Sequence, residues 1–151
     1  MKAVIQRVTS AQVDVENKTV GKIEKGYMIL LGVAEGDTEK EAELLARKTA
    51  NLRVFCDEND KMNKSVLDID GEILVVSQFT LCADCKKGNR PSFTGGAAPA
   101  EADRLYEYFM QQLKVNGVRK VEHGIFGEDM QVSLVNDGPV TILFDTDIWS
   151  K

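Results

Sequence analysis

The sequence predicts an α+β fold, and three observations carry that prediction. Residues 2–33 alternate apolar and polar at the two-residue period of strands, interrupted only by turn-forming residues. Two stretches of helical periodicity, each with its own start and stop signals, break the strands at about one-third and two-thirds of the chain. No glycine-rich loop joins a strand to a helix, so neither a Rossmann nor a nucleotide-hydrolysing architecture finds support.

In order along the chain, Val4, Gln6 and Val8 share one face of a first strand. After a Thr9-Ser10 bend, Ala11, Val13 and Val15 share another. Glu16-Asn17-Lys18 is a turn, residues 20–24 a second strand, Lys25-Gly26 a second turn, and residues 27–33 a nearly continuous apolar strand. This is the pattern of an antiparallel meander. Thr38 and Glu41 stand at capping-box spacing and open a helix to about residue 51, with Ala42, Leu45, Ala46 and Thr49 on one face. Residues 53–56 form a short strand. The acidic run 57–61 lacks the glycine and the distant glutamate of a calcium loop, and reads as a solvated hairpin tip.

Residues 65–70 lead through Gly71 into Leu74-Val75-Val76-Ser77-Gln78-Phe79-Thr80-Leu81. Leu and Val there predict a strand buried on both faces, and its polar end falls where backbone amides leave a ladder. An irregular stretch, 82–98, follows. Pro99 opens a second helix to about residue 114, striped by Ala102, Leu105, Tyr106, Phe109, Met110 and Leu113 and stopped by Asn116-Gly117. Residues 118–122 are a strand and 123–129 a loop. Two last strands, 130–135 and 140–144, are joined by Asn136-Asp137-Gly138-Pro139, read as a tight turn with proline where a strand begins.

Bulk properties bound the function. At 151 residues the chain suits one domain, 1–151, burying roughly 68–70% of its unfolded surface. No apolar run approaches the ~20 residues needed to cross a bilayer, and the N-terminus lacks the pattern of a signal peptide. The expected location is the cytoplasm, with no membrane partner. A net charge of −5 argues against coating nucleic acid but allows a grip on one end. Cys56, Cys82 and Cys85 read as free thiols. Cys82 and Cys85 have zinc-like spacing, but nothing nearby completes four ligands, so neither metal nor cofactor is expected.

Little conventional catalytic chemistry is on offer. His123 is the only imidazole and lies in a loop without a motif. Thr80 is a candidate nucleophile, but a threonine hydroxyl needs a neighbouring base. Catalysis, if present, would rest on orientation and backbone donors. Lys86, Lys87 and Arg90, beside Gly88 and Phe93, suit phosphate and base contacts as well as they suit a solvated loop tip.

Met1 to Val8, the segment Ser77-Gln78-Phe79-Thr80-Leu81, and Asn136-Asp137-Gly138-Pro139-Val140-Thr141 together resemble the D-aminoacyl-tRNA deacylases, in order and over residues 1–144. The pairing of the second and third motifs makes the resemblance specific.

The resemblance implies hydrolysis of the ester joining a D-amino acid, or glycine mischarged on tRNA(Ala), to the terminal adenosine of tRNA. It implies a barrel-like sandwich of mostly antiparallel sheet with two main helices packed on it. It further implies a homodimer with its sites at the interface. Gly138-Pro139 would be cis and enter the partner's site, where its carbonyl oxygens exclude L-amino acids. A base-rate reading of Gly138-Pro139 alone would make it trans. Ser77, Gln78, Phe79 and Thr80 would line the opposite wall. Two mechanisms follow: Thr80 as nucleophile, or the substrate's ribose 2′-hydroxyl activating water. The lack of a base favours the second. By position, Phe126 and Met130 match residues that contact the adenine, Ala102 one that lines the pocket, and Arg7 one that supports the loop containing Asn136, Gly138 and Pro139. Lys86, Lys87 and Arg90 would meet phosphates of the 3′ acceptor end. Two rivals are a deacylase relaxed toward small L-amino acids and an inactive module binding the tRNA end.

Overall fold

The computed structural model describes residues 1–149, a barrel-like mixed sheet flanked by helices. Its spine is β1 (Lys2–Val15). Along one side β1 pairs antiparallel first with β3 (Gly26–Gly32), then with β2 (Lys18–Ile23). Along its other side it pairs with β8 (Gln131–Asp145), from Lys2 opposite Asp145 to Asp14 opposite Gln131. The Thr9-Ser10 bend expected from sequence is therefore a change of partner within one strand. The register against β8 shifts there too, and the buried side switches from Ala3 and Ile5 to Val8, Ala11 and Val13.

Two pairings are parallel, which the alternating pattern did not reveal. β6 (Glu72–Ser77) lies beside β3, and β7 (Val121–His123) beside β6. Parallel neighbours need a crossover of a dozen or more residues. The first crossover contains α1 (Glu39–Ala50) and the hairpin of β4 (Phe55–Cys56) with β5 (Met62–Lys64); the second contains α2 (Pro99–Val115). β7 closes toward β2, where a Cβ on Gly21 would lie 2.5 Å from the His123 carbonyl oxygen. Only glycine permits that approach.

The helices begin as read. The Thr38 side chain accepts from the Lys40 N–H at 3.2 Å, and Glu41 accepts from the Thr38 N–H at 2.7 Å. Pro99 starts α2, and Gly117 (φ +109°) follows its end. The acidic hairpin tip satisfies itself: Asp57 accepts from the N–H groups of Asn59 and Lys61 and from the Asn63 amide. α3 (Thr146–Trp149) ends the described chain.

β6 is buried on both faces, as predicted, and so separates two cores. Ile73 and Val75 face Leu45, Leu105, Tyr106 and Phe109 of the helices. Leu74 and Val76 face Val8, Val13, Ile23 and Met28. All three cysteines are free thiols.

The last two predicted strands are one. In β8, Gln6 of β1 pairs with Thr141 and Val8 pairs with Asn136, so Asp137, Gly138, Pro139 and Val140 all lie opposite Arg7. The predicted turn is a bulge that does not reverse the chain. The physical reason is Asn136. Its Oδ1 accepts from the Val140 N–H at 3.0 Å and its Nδ2 donates to Thr141 Oγ1 at 3.1 Å, closing the excursion on the same strand.

Candidate active site

β6 carries its buried face to Ser77, which pairs with Leu31, and Gln78 N–H donates to the Leu31 carbonyl at 2.8 Å. The chain then leaves the sheet. Phe79–Cys82 form a 3₁₀ turn at the polar end that the sequence marked. Gly32 makes room for this turn, since a Cβ there would lie 2.9 Å from Leu81 Cβ. The first N–H groups of such a turn have no acceptor within it, so Phe79 and Thr80 present backbone donors at the strand end.

The end of β6 and the start of this turn form one wall of a cavity of about 540 Å³. Ser77, Gln78 and Phe79 line it together with Ala102 of α2, and Phe126 and Met130 of the loop before β8. The sequence is thus brought together at six predicted positions. Phe126 packs against buried Tyr106, with ring centroids 6.1 Å apart, and the Tyr106 hydroxyl donates to the Val75 carbonyl at 3.1 Å. Burial drives the Tyr106 phenol well above its ordinary pKa.

Thr80 is exposed and, unlike its three predecessors, does not line the cavity. Its hydroxyl accepts a hydrogen bond from the Gln78 side-chain amide. An amide donor withdraws electron density from the hydroxyl and cannot take its proton, so nothing here makes Thr80 a strong nucleophile. His123 is spent elsewhere, with Nδ1 2.6 Å from the Gly124 carbonyl. Among the described residues no group of three or more His, Cys, Asp or Glu is placed to hold a metal ion.

A second cluster lies at the β8 bulge. Arg7 Nε donates to the Asp137 carbonyl at 2.9 Å and Nη1 to the Val54 carbonyl at 2.6 Å. Its side chain is only 11% exposed. The Gly138-Pro139 bond is cis. Gly138 has φ +138°, and a Cβ on it would meet Val140 N at 2.9 Å and Arg7 Nη2 at 3.2 Å. Glycine is required there. Gly138 and Pro139 are exposed, and neither lines the cavity of its own chain.

Lys86, Lys87 and Arg90 stand apart from both clusters, exposed at the tip of a loop. The loop's neck is closed by paired backbone bonds between Asp84 and Ser92, at 2.7 and 2.8 Å. Among the described residues none of the three cations is in an ion pair.

Phe93, Glu128 and Asp129 also line the cavity and were not chosen from the sequence as site residues. Glu128 and Asp129 carried no motif. Phe93 did carry a signal, an aromatic beside the cations.

The family described as D-Tyr-tRNA(Tyr) deacylase matches residues 4–145. Proteins named D-aminoacyl-tRNA deacylase from Thermosipho melanesiensis and Thermosipho africanus are 55% and 59% identical, each over 97% of both chains. A solved structure described as c-Myc DNA Unwinding Element Binding Protein superimposes with a TM-score of 0.90 at 46% identity, covering 96% of this chain and 98% of that one.

Proposed function

This chain belongs to the D-Tyr-tRNA(Tyr) deacylase family of hydrolases, and we propose that its cavity hydrolyses the ester between a D-amino acid and the terminal ribose of tRNA. The observation that carries the reading is the Ser77–Thr80 corner, where a buried strand ends in backbone donors and an unactivated hydroxyl.

Water adds to the ester carbonyl, and the carbon–oxygen bond to the ribose then breaks, releasing the tRNA hydroxyl and the free amino acid. The N–H groups of Phe79 and Thr80 hold the oxyanion that forms on the carbonyl oxygen. Donors fixed before the reaction stabilise such charge without reorganisation. With no side-chain base against Thr80, the neighbouring ribose 2′-hydroxyl activates the water. Phe126 and Met130 receive the adenine, Ala102 lines the pocket, and the Lys86, Lys87 and Arg90 tip meets nearby phosphates.

Chirality is imposed by a second copy of the chain. Among the described residues β8 pairs only with β1, which leaves its outer edge unpaired there, with Val135 56% and Leu143 75% exposed. Long bare edges are normally covered. A two-fold dimer along this edge carries Gly138-Pro139 of each subunit into the other's cavity, with Arg7 and Asn136 holding the loop. Its carbonyl oxygens occupy the space an L-side chain needs, while D-side chains and glycine point elsewhere. Rejection by steric exclusion explains acceptance of many side chains. Glycyl-tRNA is a substrate on the same ground. The enzyme works in the cytoplasm, where charged tRNA is used.

One relative is named for binding a DNA unwinding element. The net charge of −5 favours a tRNA end over a long duplex.

The test incubates the protein with D-Tyr-tRNA and L-Tyr-tRNA in parallel. Release of D-tyrosine alone is the expected result. Equal release of both points to relaxed specificity, and no D-tyrosine above buffer sinks the deacylase reading.

A further inference from the structure

We infer that Phe93 is a stacking platform for the nucleobase next to the terminal adenosine, an inference that rests on reading the cavity as a tRNA 3′-end site. Phe93 lines the cavity mouth and is 38% exposed. Phe79, 59% exposed, meets it edge-to-face, with ring centroids 5.1 Å apart and planes at 71°. Each ring of such a pair keeps at least one face free of the other. Together the two exposed rings leave apolar surface at the cavity for a ligand to cover.

The backbone around Phe93 is fixed on both sides. Ser92 is bonded twice to Asp84 across the loop neck. Gly96 N–H donates to the Phe93 carbonyl at 3.2 Å, Glu35 N–H to Gly95 at 2.9 Å, and Ala97 N–H to Val33 at 3.0 Å. The backbone that carries the ring is therefore held before any ligand arrives, and the Phe79 ring packs against it, which lowers the ordering cost of binding.

Two arguments select a base over the acyl side chain. The platform stands at the root of the loop that bears Lys86, Lys87 and Arg90, and exposed aromatics combined with cations make a surface for single-stranded nucleic acid. A fixed ring gripping the amino-acid side chain would also work against an enzyme that accepts many of them. Phe79 then has two roles. Its N–H faces the ester, and its ring braces the platform, so the penultimate base and the scissile bond are placed by one residue.

The experiment compares wild type, Phe93→Ala and Phe93→Tyr on three substrates: D-Tyr-tRNA, the same tRNA abasic at the penultimate position, and 3′-O-(D-tyrosyl)adenosine. Stacking on one aromatic predicts that Phe93→Ala raises KM for D-Tyr-tRNA on the order of tenfold with kcat unchanged, and that Phe93→Tyr restores it. Phe93→Ala has no effect on the adenosine ester. On the abasic tRNA the wild type shows the raised KM and Phe93→Ala adds nothing, because the same contact is already gone. Equal loss on the adenosine ester, additive losses, a fall in kcat alone, or no change in KM each overturns the inference. If wild type hydrolyses none of the three, the deacylase reading has failed separately. Equilibrium binding of a CCA-ended oligonucleotide to the same variants then decides the role of Phe93 by the same factor.

Discussion

Replacing Arg7 with alanine tests how the β8 bulge is held. Arg7 makes two charge-assisted hydrogen bonds to carbonyls, Asp137 at 2.9 Å and Val54 at 2.6 Å, from a side chain 11% exposed. Hydrogen bonds to charged groups contribute about 1.5–3 kcal/mol each. The Asp137 carbonyl lies in a partly exposed bulge and can recover a water, so the lower end applies and the loss is about 3 kcal/mol. For a domain of this size each kcal/mol lowers Tm by about 2–4 °C, which gives a fall of about 6–12 °C. Arg7→Lys keeps the charge but not the fork, and loses roughly half as much. Thermal unfolding followed by circular dichroism measures both. A structural role alone would leave the D/L preference intact, whereas a loosened bulge also raises hydrolysis of L-Tyr-tRNA relative to D-Tyr-tRNA, measured well below either Tm. An Arg7→Ala protein that melts with wild type, or that melts early but keeps full chiral discrimination, refutes the reasoning.

Thr80→Ala retains most of kcat if the 2′-hydroxyl activates water, while a tRNA ending in 2′-deoxyadenosine loses on the order of 10²–10⁴; the opposite pattern makes Thr80 the nucleophile. Changing Lys86, Lys87 and Arg90 together to alanine flattens the dependence of log Kd on log salt by about 2, at roughly 0.7 per phosphate contact on a single strand, and an unchanged slope removes the loop from the tRNA interface. Tyr27 and Tyr106 have phenols driven upward by burial, with the Arg7 charge opposing the shift at Tyr27. The folded state therefore keeps protons that the unfolded state gives up near pH ~10, so stability is full below that pH and falls above it, by up to about 1.4 kcal/mol per pH unit for each. Urea titrations at rising pH show this, and Tyr27→Phe should weaken the dependence. Leu143→Lys puts a charge on the bare β8 edge; sedimentation should show loss of dimer together with loss of chiral selection, and a monomer that still discriminates would refute the shared site.

Local signals were legible and long-range ones were not. The Thr38/Glu41 capping box and the Pro99 and Gly117 boundaries depend on a few adjacent residues, and the helices stand where those residues set them. The double burial of β6 was readable because Leu74, Val75 and Val76 leave no polar face. Its parallel pairing with β3 was not, since it depends on a crossover whose direction no local pattern records. The bulge at 137–140 misled for a specific reason. Asn-Asp-Gly-Pro is strong turn chemistry, yet the Asn136 side chain folds back on Val140 and Thr141 and spends that chemistry within one strand. Motif residues from Ser77 to Phe79 could be picked from sequence, whereas Glu128 and Asp129 join them only because the loop before β8 returns to the end of β6.

On the proposed reading, the geometry of the bulge accounts for catalysis and selection occupying different strands. The donors at Phe79 and Thr80 must be rigid to hold a developing charge, and they sit where a doubly buried strand enters a 3₁₀ turn. A steric selector needs something else: a carbonyl-bearing loop that projects beyond its own subunit. An interior strand such as β6 could not supply one without opening the core. β8 can, because one of its edges is free, and four residues can leave the ladder there while β1 gives up only the pairing of Arg7. Arg7 then returns the lost ladder bonds as side-chain bonds to Asp137 and Val54. On the proposed reading, the edge that would be a liability in a monomer becomes the place from which a second subunit closes the cavity, so a mutation that breaks the dimer takes chiral selection with it.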